Sequence, residues 1–229
     1  MQQLKFLFLL IIFMVVNLTD SFGQTELNPD AKSSAHIGRF KSDFIKSMLN
    51  GDQVLLKPYY AENIRLMPEF QLTIMGKANA LLYYQALHSR FEIQGYTRNE
   101  LEILDLGKRI LELGFFTMKM KSKSTGKLLE FKGKYQNIWG KSQSGNLTLL
   151  TESWNYNHQI EHPEQLKFSE VPAVNVALQA HVPINNPISF ELAALNRFQE
   201  IVISQYDHKI WAQYYLDDAR FIYSNSSMV

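Results

Sequence analysis

The stretch 59–91 constrains the fold more than any other, because it places two short extended runs directly before a helix. Residues 64–67 form the first run, and Pro68 ends it because proline has no N–H to donate to a β-ladder. Residues 71–75 form the second run, and Gly76 begins the helix. In that helix the apolar side chains recur every three or four residues, as in an amphipathic helix: Ala80, Tyr83, Tyr84, Leu87 and Phe91.

An amphipathic helix and a shorter helix are predicted before this stretch. Ser33 or Ser34 is the candidate N-cap of the first helix, and Gly51 is a typical stop signal. Asp52 is expected to cap the second helix, which Pro58 bends or ends early. The apolar stripe of the first helix consists of Ile37, Phe40, Phe44, Met48 and Leu49.

After the helix that begins at Gly76, the hydrophobic pattern changes to that of β-strands. Residues 101–106, 109–121, 128–139 and 147–156 are long strand-like runs, separated by segments rich in turn-forming residues. Helices followed by a series of strands predict an α+β fold with an antiparallel sheet.

The order of these elements resembles the nuclear transport factor 2-like superfamily, which includes SnoaL-like and ketosteroid-isomerase-like proteins. The resemblance depends on residues 60–68, YAENIRLMP, and on residues 76–78, GKA. It covers residues 35–157 and implies that the helices pack in a curved antiparallel sheet, a cone-like α+β barrel with an interior pocket. We therefore predict a domain of this family over residues 30–160.

Residues 1–23 have the composition of a signal peptide. Lys5 precedes an apolar run, residues 6–16, that is short for a membrane span. Ser21 and Gly23 are small residues at the positions that a signal peptidase reads, so cleavage is predicted before Gln24. The sequence thus predicts an exported protein, periplasmic or secreted, that does not enter the membrane after cleavage. With no cysteine, its core must stabilise it without disulfides.

The charge balance argues against several classes of partner and cofactor. The chain has 23 basic and 22 acidic residues and a net charge of +1, which provides no field for nucleic acid or anionic lipid. The sequence contains no glycine-rich phosphate loop and no G-x-S-x-G nucleophile motif. No cofactor is therefore predicted.

The chain beyond the predicted domain contains a linker and a region of internal similarity. Residues 161–189 are rich in proline and are predicted to be the linker. Residues 190–229 are predicted to be an incomplete second copy of the domain, or alternatively an unrelated pair of amphipathic helices. The similarity appears when a constant shift places Asp207 on Asp52, Tyr214 on Tyr59, Tyr215 on Tyr60 and Arg220 on Arg65.

The sequence His158–His162, HQIEH, has the residue order of the inverted zinc peptidases. That chemistry requires both imidazoles on one face of a rigid helix, with a third ligand and an open position for water. Here the motif follows a strand and directly precedes Pro163, so it has no helix of useful length. We interpret it as a solvated segment and predict no metal site.

Glu152 is the candidate catalytic base. It lies two residues before Trp154 on the last long strand, so the strand period of two directs both side chains to the same face. If that face is the inner one, burial raises the pKa of Glu152. Tyr59 and Tyr60 are the candidate hydrogen-bond donors for a developing oxyanion. The alternative is that Glu152 is an ordinary strand residue facing the solvent.

The candidate pocket lining is aromatic and apolar, although the same residues are equally typical of an ordinary core. The sequence leaves three functions open. The leading one is binding of a small, mostly apolar molecule, and the second is ketosteroid-isomerase-like or cyclase-like acid–base catalysis. The third, implied by the resemblance, is a module that dimerises through the outer face of its sheet. The candidate ligand-binding residues are Tyr60, Met67, Phe116, Met118, Trp139 and Trp154.

Overall fold

The computed structural model describes residues 27–175, 187–204, 210 and 222–226. The predicted signal peptide and the second helix of the predicted repeat therefore lie outside the described residues. The described elements are α1 (Ala31–Asn50), a 3₁₀ helix (Gln53–Leu56), β1 (Tyr60–Pro68), β2 (Ile74–Met75), α2 (Lys77–Arg90), β3 (Phe91–Asp105), β4 (Arg109–Ser122), β5 (Leu128–Lys141), β6 (Leu147–Tyr156), a second 3₁₀ helix (Pro163–Leu166) and α3 (Pro187–Ser204).

The described strands form one curved sheet in the order β2-β1-β6-β5-β4-β3. Strands β3 to β6 are an antiparallel meander, and β1 joins its last strand in parallel. Helices α1 and α2 contribute their buried faces to the same core as the inner side chains of the sheet. The predicted α+β class, with helices packed in a curved sheet, is confirmed.

The cap at the C-terminal end of helix α1 is the predicted one, and the cap at its N-terminal end is not. Its N-cap is Asp30, whose side chain accepts a 2.7 Å hydrogen bond from the Ser33 amide, so neither serine is the cap. Gly51 ends the helix in the left-handed region, at φ 72°. The predicted stripe is buried except for Leu49, which is 41% exposed because it lies off the helix face that meets the sheet.

The region between α1 and β3 follows the predicted order with shifted boundaries. The short helix that Asp52 caps is a 3₁₀ helix that ends at Leu56, just before the proline, and Tyr60 already begins β1. Strand β3 begins at Phe91, ten residues before the predicted run, which started at residue 101. The sequence pattern fails there because two bulges interrupt the alternation along β3.

One bulge in β3 and one in β6 determine which side chains of these strands point into the cone. In β3 the register shifts between Ile93 and Gly95, and in β6 Leu150 is the extra residue between Leu149 and Thr151. A one-residue bulge reverses the side-chain parity of the strand that follows it. Buried positions in β6 are accordingly odd-numbered up to Leu149 and even-numbered from Glu152 onwards.

Two inward-facing glycines make room for rings in the meander. A Cβ atom at Gly114 would lie 2.5 Å from the Tyr135 hydroxyl oxygen. A Cβ atom at Gly133 would lie 2.4 Å from Cζ of Phe116 and 2.5 Å from the backbone oxygen of Asn155. Neither gap accommodates a methyl group, so the two aromatic side chains depend on these glycines for their positions.

Residues 163–174, here called the strap, pack against the cone although the sequence predicted a linker from residue 161. Phe168 is completely buried and makes an edge contact with the ring of Tyr83 at 5.1 Å. The side-chain amide of Gln71 donates to the backbone carbonyl of Phe168 at 3.1 Å and accepts from the backbone N–H of Phe168 at 3.0 Å. The strap is therefore packed against the domain, because Leu166, Phe168 and Val171 bury their apolar side chains.

The C-terminal residues that the structure describes contact the outer face of the sheet. The Asn225 amide donates to the Tyr156 carbonyl at 2.8 Å, and Asn155 donates to the Ile222 carbonyl at 3.2 Å. The ammonium group of Lys134, a fully buried residue, donates to the Ser226 carbonyl. The incomplete second copy remains a prediction. None of the described helices combines the length and the apolar character needed to cross a membrane.

Replacement of Gly133 by alanine should destabilise the cone, because the new methyl group meets both a ring and a backbone oxygen. We expect the free energy of unfolding to fall by about 1–3 kcal/mol, the usual cost of overpacking. Gly38→Ala is the matched control, since Gly38 is an exposed helix residue with nothing within 4 Å of the new Cβ. The control should raise stability by up to about 1 kcal/mol. Urea unfolding measures both, and equal effects would contradict the prediction.

Candidate functional site

A cavity of about 30 Å³ lies inside the cone. Its walls are mainly rings and thioethers, among them Phe44, Tyr96, Phe116, Met118 and Trp154. This volume accommodates about two water molecules, whereas pockets for drug-sized ligands usually measure roughly 300–1,000 Å³. The core therefore fills most of the cone, and the polar groups around the remaining space determine its chemistry.

Glu152 lies at the wall of this cavity and is 1% exposed. The Tyr60 hydroxyl donates to its Oε2 at 2.7 Å, and Nη1 of Arg98 donates to its Oε1 at 3.2 Å. Burial raises the pKa of Glu152, and the charge of Arg98 and the hydrogen bond from Tyr60 lower it in opposition, with burial dominant. The inward position follows from the bulge at Leu150.

Arg98 is the cation of the site, and it is 2% exposed. Its guanidinium carbon lies 3.7 Å from the ring centroid of Tyr135 and 4.6 Å from that of Phe44, so it stacks between aromatic faces. Burial lowers the pKa of Arg98, but neighbouring acidic groups, Tyr135 and Glu112 first, raise it well above its usual value. Its Nε and Nη2 groups are buried and form no well-aligned hydrogen bond with the described residues, although the hydroxyls of Tyr96 and Tyr135 lie near the guanidinium group.

Glu112 is a second, fully buried carboxylate near the site. It accepts three hydrogen bonds of 2.9 Å, from the Tyr135 hydroxyl, the Asn137 amide and the Trp139 indole. Glu112 pairs with Asn137, and Asn137 pairs with Glu152, so the two carboxylates lie on one row across three strands. Both carboxylates favour the charged form of Arg98, and Glu152 forms an ion pair with it at 3.2 Å.

Tyr84 adds a second unsatisfied group to the cavity wall. It is a buried residue of α2, and its hydroxyl lies near Tyr60 and Glu152 without a well-aligned hydrogen bond to any described residue. Burial raises its pKa well above 10, and the neighbouring Glu152 contributes to the same shift. A buried polar atom without a partner is rare in native proteins and calls for a bound water or ligand. Tyr84 and Arg98 both line the cavity.

Five of the predicted site residues lie at or beside the cavity. Phe116, Met118 and Trp154 line it, and Tyr60 lies behind Glu152, to which it donates. Glu152 faces inward, as the period of two from Trp154 predicted. The catalytic and ligand-binding roles of these residues remain predictions.

Three predicted site residues do not reach the cavity. The Tyr59 hydroxyl donates to Asp43 at 2.7 Å, because the strand begins only at the next residue and directs Tyr60 inward instead. Met67 is 38% exposed, since Leu66 takes the inward position of β1. Trp139 is completely buried but packs against Phe40 with ring centroids 4.9 Å apart, deep in the core. These three side chains are not among the residues that line the cavity.

Sequence reasoning missed Arg98 and Glu112 as residues of the site. Glu112 left a signal, because it alternates with Ile110 and Gly114 on the inner parity of an apolar run. Arg98 left none, since it lies in the polar segment TRNE of a strand that the pattern did not reveal.

The HQIEH motif lies on the surface beside the meander. His158 stacks on the ring of Phe131 at 6.4 Å, and Glu161 pairs with Lys127 at 3.1 Å. Within the parts of the chain that the structure describes, no three histidine or carboxylate side chains converge as metal ligands would.

Comparison with known proteins gives matches of structure but not of sequence. No protein-family model matches the chain, and no curated protein matches it in sequence. A ketosteroid isomerase-like protein from Erwinia carotovora atroseptica superposes with a TM-score of 0.50 at 14% identity, over 59% of this chain and 99% of that protein. A conserved protein from Planctomyces limnophilus gives 0.49 at 16% identity, over 54% and 95% of the two chains.

An NTF2-like superfamily protein from Salmonella enterica gives a TM-score of 0.48 at 12% identity, over 56% of this chain and 95% of that one. Identities this low establish the fold alone, and the fold assignment rests on the match with a TM-score of 0.50. With the helices packed in a curved sheet and the cavity inside it, this chain has the cone fold of the nuclear transport factor 2-like superfamily.

Proposed function

We propose that this chain is an exported protein whose cone binds a small, mostly apolar molecule. One observation supports this function above all. Two side chains of the cavity wall, Arg98 and Tyr84, have buried polar atoms without a well-aligned hydrogen bond, and the rest of the wall consists mainly of aromatic and thioether groups. Apolar walls with a few converging polar groups are the usual composition of a small-molecule site.

Unsatisfied donors at the cavity wall favour a ligand that accepts hydrogen bonds. A buried donor without an acceptor costs about 1–3 kcal/mol, and more when the group is charged. Arg98 alone has two such nitrogen atoms, and the Tyr84 hydroxyl is a third unsatisfied atom. A ligand oxygen that accepts from these groups removes the cost, while its apolar part contacts the rings.

The cavity must widen to admit a ligand larger than water. Met48 and Met118 form part of its wall. Methionine side chains are unbranched and change rotamer at low cost, so they adapt to ligands of different shapes. We therefore expect ligand entry to move these two side chains and to leave the strands in place.

Acid–base catalysis is the second candidate function. Its supporting observation is that Glu152 is a buried carboxylate with a raised pKa, the property required of a base or acid that operates near neutral pH. Two contacts weigh against it. Tyr60 and Arg98 already donate to Glu152, so Tyr60 is not free to stabilise an oxyanion. Binding without chemistry therefore ranks first.

Binding can be detected at the methionine methyl groups with benzyl alcohol as the probe, a small aromatic molecule with one hydroxyl. In protein carrying ¹³C-methyl methionine, we expect the resonances of Met48 and Met118 to shift as benzyl alcohol is added. Met67 is the internal control, because its side chain lies on the outside of the sheet. If Met67 shifts equally, or if neither benzyl alcohol nor any other small aromatic probe shifts the cavity resonances at millimolar concentration, the proposed binding site is wrong.

The two candidate functions differ in the exchange of α-protons of cyclohexanone with D₂O. A binder should leave the exchange rate at the value of buffer alone. An enzyme with Glu152 as its base should accelerate exchange, and Glu152→Gln should then reduce the added rate by on the order of a hundredfold or more. Proton NMR measures both rates, and acceleration that Glu152→Gln removes would reverse our ranking.

Export predicts that the mature chain begins at or near Gln24. N-terminal sequencing of the protein from its natural host tests this directly. Intact Met1 on protein from the cytoplasmic fraction would refute export and would leave the binding proposal untouched.

A further inference from the structure

The free edge of Arg98 indicates which chemical class of ligand the cavity takes. In a guanidinium group, Nε and Nη2 point their N–H bonds in the same direction and form a two-pronged donor edge. In Arg98, Nη1 donates to Glu152, while Nε and Nη2 form no well-aligned hydrogen bond with the described residues. The two oxygen atoms of a carboxylate accept two parallel hydrogen bonds from such an edge. A hydroxyl or ketone has a single oxygen atom, which accepts both hydrogen bonds with poorer geometry.

We propose that the cone binds a small organic carboxylate side-on at Arg98 and that Glu152 takes up one proton as the ligand binds. This inference rests on the proposed binding function and assigns the ligand class of the same cavity. The apolar body of the ligand lies among the aromatic side chains, with Tyr84 as a further donor to its carboxylate.

The proton uptake follows from the charges buried around Arg98. With both carboxylates ionised, Glu112, Glu152 and the guanidinium carry a net charge of −1, since two negative groups face one positive group. A carboxylate ligand changes this sum to −2 in a site where burial already disfavours charge. One proton from solvent on Glu152 restores the sum to −1.

Glu152 is the member of the cluster that accepts the proton. It lines the cavity and forms an ion pair with Arg98, whereas Glu112 is not among the lining residues. Burial has also raised the pKa of Glu152 already. Once protonated, Glu152 no longer competes with the ligand for the positive charge of Arg98.

No other group around Glu152 accounts for a proton taken up between pH 6 and 9. The groups that face it from the packed elements are Tyr60 on β1, Tyr83 and Tyr84 on α2, Tyr96 and Arg98 on β3, Glu112 on β4, Tyr135 on β5 and Tyr156 on β6. Burial raises the pKa of every one of these tyrosines, so all stay neutral in this range. Among the described residues, no histidine lines the cavity.

The test compares benzoate with benzamide, which has the same ring and a neutral amide in place of the carboxylate. Titrations followed at the Met48 and Met118 methyl groups give dissociation constants at pH 6, 7, 8 and 9. We expect benzoate to bind more tightly than benzamide at pH 6 and to lose about tenfold in affinity per pH unit above the titration of Glu152, as linkage to one proton requires. Benzamide affinity should not change with pH. Calorimetry in two buffers of different ionisation enthalpy should show about one proton taken up per benzoate.

Variants test separately the proton uptake by Glu152 and the carboxylate binding by Arg98. Glu152→Gln should abolish both the pH dependence and the proton uptake of benzoate binding. Arg98→Lys keeps the positive charge but removes the two-pronged edge, so it should weaken benzoate at least about tenfold more than benzamide. Arg109→Lys is the matched control, because Arg109 is exposed at the start of β4, and it should change neither.

Each outcome decides between the proposals. If benzyl alcohol or benzamide binds and benzoate does not, or if benzoate binds without proton uptake, the carboxylate inference is wrong and the binding function stands. If none of the three probes shifts the cavity methionines, both are wrong. The measurements on the unmodified protein remain decisive even if Arg98→Lys fails to fold.

Discussion

The buried ion pair of Arg98 and Glu152 is the interaction on which the rest of the cone depends. Removing two charges from water costs several kcal/mol per ion, and only close contacts with other polar or aromatic groups offset that cost. The Tyr60 hydroxyl and the ring faces of Tyr135 and Phe44 provide these contacts. Their positions are consequently tied to the charge pair, which limits how the surrounding strands and helices can pack.

The same requirement explains the uneven filling of the cone. Deep inside it, Trp139 and Phe40 pack closely, and the indole also satisfies Glu112. Around the ion pair the packing is looser, and the small cavity remains. An interior that contains charges needs donors at fixed distances, and rigid tyrosine and tryptophan side chains on strands provide them more precisely than flexible groups on loops.

The elements with regular periodicity could be predicted from the sequence, whereas the site depends on irregularities that the sequence does not reveal. The helix stripe at Ile37 and Phe40 and the strand period at Trp154 gave the correct inward faces, and the latter also placed Glu152. Met67 rather than Leu66 was expected to face inward, because the choice between them depends on strand register, which a short apolar run leaves open.

Arg98 shows the limit most clearly. Its strand contains two bulges, and a polar segment around an inward-facing cation looks like a loop when only hydrophobicity is read. Its partner lies 54 positions away along the chain, so no local spacing indicates the pair. The packing of the strap was missed for a related reason, because a proline-rich stretch can bury single apolar side chains without any period.

The bulge at Leu150 also bears on how this site can change in evolution. Loss of that one codon would restore regular alternation in β6 and turn either the charge-bearing end of the strand or its apolar beginning to the opposite face. A point substitution changes one side chain, but this deletion would move several consecutive side chains of β6 between the inner and outer faces of the sheet. Relatives that lack the extra residue are therefore expected to have a differently composed interior, even where the helices and the other strands are alike.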